Sequence, residues 1–191
     1  MSGWVWVATA WAGGATPDLS GFVGSWGLDP SKSDDPGEAL SHAAESAPTA
    51  SASKASQLSP DGGSTPDEDA PKHALDDATA LLGGSGGLVV ALASEGVTVT
   101  WTGEAPVTLP LTRHYQKVKA SPRWKARAWM DGDHLVVERR RRSTSVAETL
   151  LPPERADELV VVVWVEGTGL AHPVEFRRVY RALSGDTAPT P

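Results

Sequence analysis

The chain has 191 residues, of which 40% are hydrophobic, and a formal net charge of −7. This length allows one domain of ordinary size plus a good deal of unstructured chain, and the absence of cysteine excludes disulfides, thiol nucleophiles and thiolate metal sites. Residues 1–100 hold 13 acidic and 3 basic side chains, against 11 and 14 in residues 101–191, a balance that argues against a dedicated nucleic-acid binder.

The N-terminal residues, 1–17, are predicted to be signal-like or disordered. They contain a short apolar run, Trp4 to Ala12, followed by two glycines. The run has the length of the apolar core of a secretory signal and is too short to be a transmembrane helix, although no Lys or Arg precedes it. We therefore expect export to the periplasm, the cell envelope or the medium; the alternative is a cytoplasmic protein in which this run adds an edge strand.

Residues 18–33 are predicted to form the first β-strand, which ends at the turn signal Asp29-Pro30. Residues 34–87 are rich in Ser, Ala, Pro, Gly and acidic side chains, and they offer too little apolar surface to offset the entropy of ordering the chain. We predict a disordered acidic insert there, with a short helix at 74–82.

Residues 88–183 change in character, because apolar and polar residues alternate in runs separated by turn signals. The best-specified piece is a hairpin, Trp124 to Glu138, which turns at Asp131-Gly132. About eight strands fit into this region, and residues 184–191 form a disordered tail. The spacing is typical of an all-β antiparallel meander, folded as a closed or partly open barrel or as a sandwich.

Several short motifs resemble those of small exported bacterial lipocalin-like domains, a group of the calycin type. The motifs are Gly24-x-Trp26, Leu28-Asp29-Pro30, Lys32-Ser33, Arg113-His114-Tyr115, Ala128-Trp129, Leu135 to Glu138, Leu159 to Val165, and Phe176 to Tyr180. The parts of the chain that carry these motifs make up about half of it. The resemblance implies a lipocalin-like barrel, and because the motifs are mostly structural it implies little about activity.

The resemblance also implies a closure of the barrel base by an arginine stacked on the tryptophan of Gly-x-Trp. Phe176, Arg178 and Tyr180 share one face of the last strand, so Arg178 is expected inside the barrel and over Trp26. Arg177 or Arg181 takes this place if the register differs by one residue.

A ligand site is expected inside the barrel, where small side chains on the hairpin leave space. The residues predicted to line it are Trp101, Tyr115, Trp124, Ala126, Ala128 and Met130. Eight-stranded barrels either hold one small ligand or are filled by their own side chains. The sequence leaves both alternatives open.

Four consecutive arginines, Arg139, Arg140, Arg141 and Arg142, end one strand. They allow three interpretations: contact with an anionic surface, protection of an exposed strand, or an electrostatic contact with the acidic insert folded back as a lid.

The sequence gives little support for an enzyme active site or a metal site. Gly83 to Gly87 matches G-x-S-x-G, but the strand before it and the helix after it that a nucleophile elbow needs are not predicted. The five histidines lack metal-ligand spacing, and no cofactor motif is present. We therefore predict a non-enzymatic monomer without metal or cofactor that binds a small apolar or amphipathic molecule. The alternative is a filled barrel that serves as an interaction or structural module of the cell envelope.

Overall fold

The computed structural model describes residues 17–46, 70–82, 86–118 and 124–183. They form ten β-strands, two α-helices and a short 3-10 turn at Ser20–Phe22. The first strand and the two helices are β1 (Gly24–Leu28), α1 (Pro36–Glu45) and α2 (Ala70–Leu82). The remaining strands are β2 (Gly87–Ala93), β3 (Gly96–Trp101), β4 (Val107–Pro110), β5 (Thr112–Lys117), β6 (Lys125–Asp131), β7 (His134–Arg141), β8 (Thr144–Leu150), β9 (Glu158–Glu166) and β10 (Val174–Ala182).

The ten strands form one antiparallel sheet that curls into a nearly closed barrel. Their order is β4-β3-β2-β1-β10-β9-β8-β7-β6-β5, so β1 lies between β2 and β10. The sheet ends at β4 and β5, which follow each other in the chain but do not pair. Leu111 lies between them and bridges to Ala128 of β6, and β4 also packs against β6. The predicted all-β antiparallel barrel is confirmed.

From residue 87 onward the described chain has nine strands, β2 to β10, one more than the predicted eight, because one predicted strand is two. The stretch from Val107 to Tyr115 breaks at Leu111, where the chain leaves β4 and enters β5 on the other side of the opening. The central hairpin is as predicted: Asp131 of β6 lies opposite His134 of β7, and Gly132 has the positive φ of 64° that its turn requires.

Helix α1 lies within the segment predicted to be disordered, and that prediction is wrong for this part. Asp35 caps the helix by accepting a hydrogen bond from the Gly37 backbone N–H, and Pro36 occupies the first turn. Leu40 and Ala43, three residues apart on one face, are buried against α2 and β10. These two side chains anchor α1 to α2 and β10.

Helix α2 covers the predicted helix at 74–82 and starts four residues earlier. Its buried face consists of Ala74, Ala78, Leu81 and Leu82, and it packs against α1, β7 and β8. The two helices lie at one end of the barrel, since α2 reaches the turn between β7 and β8 and the Ala171 N–H after β9 donates to the Ala43 carbonyl of α1. We call this end the mouth.

The predictions for the N-terminal segment, for residues 47–69 and for the tail at 184–191 lie outside the described residues. Within the described ranges, no helix has the length and apolar character needed to span a membrane.

Candidate functional site

The inward face of the barrel is built almost entirely from aliphatic side chains. Residues alternate along each strand, so every second position points inward. Buried inward residues come from all strands from β2 to β4 and from β6 to β10: Leu88, Val90, Val97, Val99, Val107, Leu109, Ala126, Ala128, Leu135, Val137, Val146, Leu150, Leu159, Val161, Val163, Val165, Val174 and Phe176. The interior is therefore an apolar environment in which any polar group needs a partner.

Five of the six predicted ligand-lining residues belong to or pack against this interior. Trp101, Ala126 and Ala128 are buried in the core, and Trp124 and Met130 are partly buried against it. The rings of Trp101 and Trp124 meet edge to face with their centroids 6.4 Å apart. The two tryptophans thus connect the barrel interior to the mouth.

Tyr115 does not join this group, and its predicted position inside the barrel is wrong. Gln116 lies opposite the inward Ala126, so the adjacent Tyr115 points outward. Its hydroxyl donates to Glu138, and the Arg127 guanidinium stacks on its ring at 4.3 Å. Burial, together with the hydrogen bond to Glu138, raises the pKa of Tyr115 to about 12, so the phenol stays protonated.

A buried ion pair lies inside the barrel, and the sequence analysis missed it. The Arg139 guanidinium lies 3.2 Å from a Glu148 carboxylate oxygen and 3.5 Å from Glu104. The same Glu148 oxygen accepts a hydrogen bond of 2.8 Å from the Trp101 indole N–H, and the Arg139 guanidinium stacks on the Trp101 ring at 3.8 Å. Arg139 is only 1% exposed. Alternation along β7 and β8 carries the signal, since both residues continue series of inward aliphatic positions.

Arg178 is a second buried arginine in the interior, with an exposure of 4%. Its guanidinium lies 5.6 Å from the centroid of the Phe176 ring and next to the Tyr180 hydroxyl. Burial raises the pKa of Tyr180 and the Glu148 carboxylate raises it further, while Arg178 opposes the shift, so Tyr180 is a protonated donor. Within the described residues, no carboxylate lies at ion-pair distance from Arg178.

The predicted stacking of Arg178 on Trp26 is wrong. Trp26 lies opposite Ala182, four residues along β10 from Arg178, which is roughly 13 Å of strand. The Trp26 indole N–H donates to the Phe22 carbonyl at 3.0 Å. The substitutes do not take the place either, since Arg177 is exposed and Arg181 binds Asp29 at 2.7 Å. Arg178 points inward as expected, but the ring it meets is Phe176.

A cleft of about 310 Å³ opens at the mouth. It lies between the C-terminal end of α2, the turn after β3 and the start of β6, and its lining includes Leu81, Glu104, Trp124 and Arg141. Burial raises the pKa of Glu104, and the neighbouring Arg139 opposes this shift. The cleft thus combines apolar side chains with two charged ones, Arg141 and Glu104, and Glu104 also contacts the interior arginine.

The arginine run does not form the predicted surface. Arg139 is inside the barrel, while Arg141 and Arg142 each lie 3.1 Å from the carboxylate of Asp77 on α2. Asp77 itself is 2% exposed, so these ion pairs fix α2 against the turn between β7 and β8. Of the four arginines, Arg140 alone is exposed without a carboxylate partner among the described residues. One of the three interpretations was a contact between the acidic insert and this run. Helix α2 belongs to that insert, and its Asp77 forms such a contact.

Residues that could bind a metal do not come together in the described ranges, where no group of three or more His, Cys, Asp or Glu side chains has suitable geometry. Ser85 of the G-x-S-x-G match lies outside the described residues.

Comparisons with known proteins bear on the fold. No protein-family model matches the chain, and no curated protein matches it in sequence. Among solved structures, it is similar to an abundant heat soluble (SAHS) protein from Ramazzottius varieornatus, with 12% identity, a TM-score of 0.51, and coverage of 85% of this chain and 96% of the other. It is also similar to fatty-acid-binding protein 1 of Echinococcus granulosus, with 13% identity, a TM-score of 0.50, and coverage of 87% and 100%. These likenesses show the fold alone, a nearly closed antiparallel β-barrel.

Proposed function

We propose that the protein is a non-enzymatic carrier that binds one small amphipathic molecule inside the barrel, with an anionic group of the ligand at Arg178 and Tyr180. The observation that carries the proposal is that only one of two buried arginines has a carboxylate partner among the described residues. Arg139 is neutralised by Glu148 and Glu104, whereas Arg178 has no carboxylate partner among the described residues. A buried charge without a counter-charge is costly, so an anionic ligand group would stabilise it.

The surroundings of Arg178 fit such a ligand. Tyr180 supplies a protonated hydroxyl beside the guanidinium, and together they form a charged and a neutral donor for one carboxylate or similar group. The aliphatic walls of the other strands suit an apolar tail. One of the similar structures is, by its name, a fatty-acid-binding protein, which supports this class of ligand.

The path of entry proposed for the ligand is the mouth cleft. Trp124 lines the cleft and contacts Trp101, whose ring stacks on the buried Arg139. The predicted ligand-lining residues Ala126, Ala128 and Met130 follow Trp124 along β6 and would contact the apolar tail. Export of the carrier rests on the apolar N-terminal run and stays a prediction.

The alternative function is the filled barrel. Ala126 and Ala128 are completely buried, which favours close packing around them in the absence of a ligand. In that case the barrel would hold no ligand, and the protein would serve as an interaction or structural module through the outer surface of the barrel.

Native mass spectrometry of the full chain with a long-chain fatty acid separates the two functions. The carrier should form a one-to-one adduct, and the fatty alcohol of the same length should bind more weakly. Arg178→Leu should lose the adduct without losing stability, because it removes an uncompensated buried charge. The matched control is Arg177→Leu, which changes the exposed neighbour and should bind as the unsubstituted protein does.

Ala128→Phe is the second variant, because it adds volume at the centre of the predicted site. In a carrier it should abolish binding and leave the protein folded. Absence of any adduct on the unsubstituted protein, together with strong destabilisation by Ala128→Phe, would establish the filled barrel instead.

A further inference from the structure

Three basic residues form one cross-strand row on the outside of the barrel. Lys117 of β5 lies directly opposite Lys125 of β6, which lies directly opposite Arg140 of β7. All three side chains are exposed. With neighbouring strands about 4.8 Å apart, adjacent members of the row lie within the Debye length of about 8 Å at physiological salt, so neighbouring charges repel each other. We call these three residues the cationic row.

The cationic row differs from a neighbouring position of the same sheet, where opposed residues carry opposite charges. Two residues further along the same strands, Arg127 lies opposite Glu138, forms an ion pair with it and stacks between the Tyr115 and Trp129 rings. Directly opposed like charges destabilise an antiparallel pair. No carboxylate among the described residues lies at ion-pair distance from any member of the row. Within the described part of the chain, the repulsion in the row is therefore not offset by an ion pair; Arg140 donates a hydrogen bond to the Arg142 carbonyl.

The cationic row lies at one end of the barrel. Lys117 ends β5, Lys125 begins β6, and Arg140 is one residue from the end of β7, so the row lies at the mouth end of the barrel. Lys125 directly follows Trp124, which lines the mouth cleft. In the same cross-strand row, Ser145 of β8 and Glu166 of β9 follow, and they bond to each other.

We propose that the cationic row docks the mouth of the barrel onto an anionic lipid bilayer. Three cations on a convex, exposed strand surface fit a broad anionic plane, because such a plane can contact all three at once. The net charge of −7 opposes close approach of the rest of the molecule to the same plane and thereby orients it. Each basic residue held near an anionic leaflet is expected to strengthen binding about fivefold. This docking surface goes beyond the proposed function and does not require a ligand in the barrel.

The test is co-sedimentation of the full, ligand-free chain with vesicles made of equal parts phosphatidylcholine and phosphatidylserine, at low and high salt. The protein should bind these vesicles, should leave them as salt is added, and should not bind vesicles of phosphatidylcholine alone. The variant Lys117→Gln, Lys125→Gln, Arg140→Gln should bind roughly a hundredfold more weakly. It should also be at least as resistant to thermal unfolding as the unsubstituted protein, because it removes the repulsion within the row.

The matched control is Lys32→Gln, Arg155→Gln, Arg177→Gln, which changes the net charge equally at positions outside the row. It should retain most of the vesicle binding. Equal loss in both triple variants would mean that only net charge matters, and the docking surface would be refuted. Absence of binding to the mixed vesicles, or tighter binding to duplex DNA than to them at the same salt, would refute it as well. Since the assay uses no barrel ligand, its failure leaves the carrier function untouched.

Discussion

Replacing Glu148 by Gln tests the buried ion pair inside the barrel. Gln keeps an oxygen that can accept the hydrogen bond from the Trp101 indole, which now measures 2.8 Å, but it removes the charge 3.2 Å from Arg139. Arg139 is 1% exposed, and its Nε already lacks a hydrogen-bond partner. Breaking a buried pair on one side costs about 3–5 kcal/mol. Because Glu104 remains 3.5 Å away, we expect the lower end, about 3 kcal/mol.

Urea unfolding followed by tryptophan fluorescence measures this loss, and a thermal scan should show a midpoint lower by about 6–12 °C. The double variant Arg139→Met, Glu148→Gln is the control for the charge argument. It removes both charges and keeps an acceptor for the Trp101 indole N–H, so its free energy of unfolding should return to within about 1 kcal/mol of the original value. If Glu148→Gln alone costs less than about 1 kcal/mol, water reaches Arg139 in the interior and the ion pair is a screened one.

Three further substitutions test single features. The pKa of Asp29 is lowered, chiefly by the hydrogen bond from the Ser31 hydroxyl. The ionised carboxylate therefore stabilises the fold fully above the unfolded pKa of 3.8, and this stabilisation is lost as the pH falls through the folded pKa. Asp29→Asn should be less stable than the unsubstituted protein at pH 7, and unfolding curves measured in acid should show no difference between the two. Asp77→Asn should speed amide hydrogen exchange in α2, because it breaks two ion pairs. The control Asp76→Asn changes an exposed neighbour and should leave the exchange rates unchanged. Equal exchange rates in the two variants would refute a role for these ion pairs in holding the helix. Gly132→Ala should cost about 1 kcal/mol in urea unfolding because its φ is 64°, and no change would mean that the turn adapts.

Periodicity made most of the barrel predictable. Alternation identifies strands without knowledge of their partners, and turn chemistry placed the hairpin at Asp131-Gly132 correctly. The break at Leu111 was missed, although Pro110, which cannot donate a strand hydrogen bond, directly precedes it. The places of the two resulting strands at opposite ends of the sheet could not be read from alternation, because they arise from the two ends meeting around the barrel. Helix α1 was missed because the composition around it is that of disorder, although Asp35-Pro36 is a helix-start signal.

The interior site was predictable in part for a related reason. Alternation placed Ala126, Ala128 and Arg178 inward, but the strand breaks at Leu111. After the break Thr112 lies opposite the inward Ala128, so the odd-numbered Tyr115 points outward. The four arginines look alike in the sequence. Only the strand pairing and the docking of α2 show that Arg139 and Arg140 point to opposite sides and that Asp77 holds the other two.

The place of β1 between β2 and β10 bears on how the chain reaches this fold. Every other pairing in the sheet joins strands that are consecutive in sequence, whereas β1 and β10 lie at opposite ends of the described chain. Local hairpins form early, and the loop entropy of a contact across nearly the whole chain delays it. During synthesis β1 must therefore wait for β10, with one edge unpaired. Its five residues include two glycines, which makes it a poor template for aggregation during that delay.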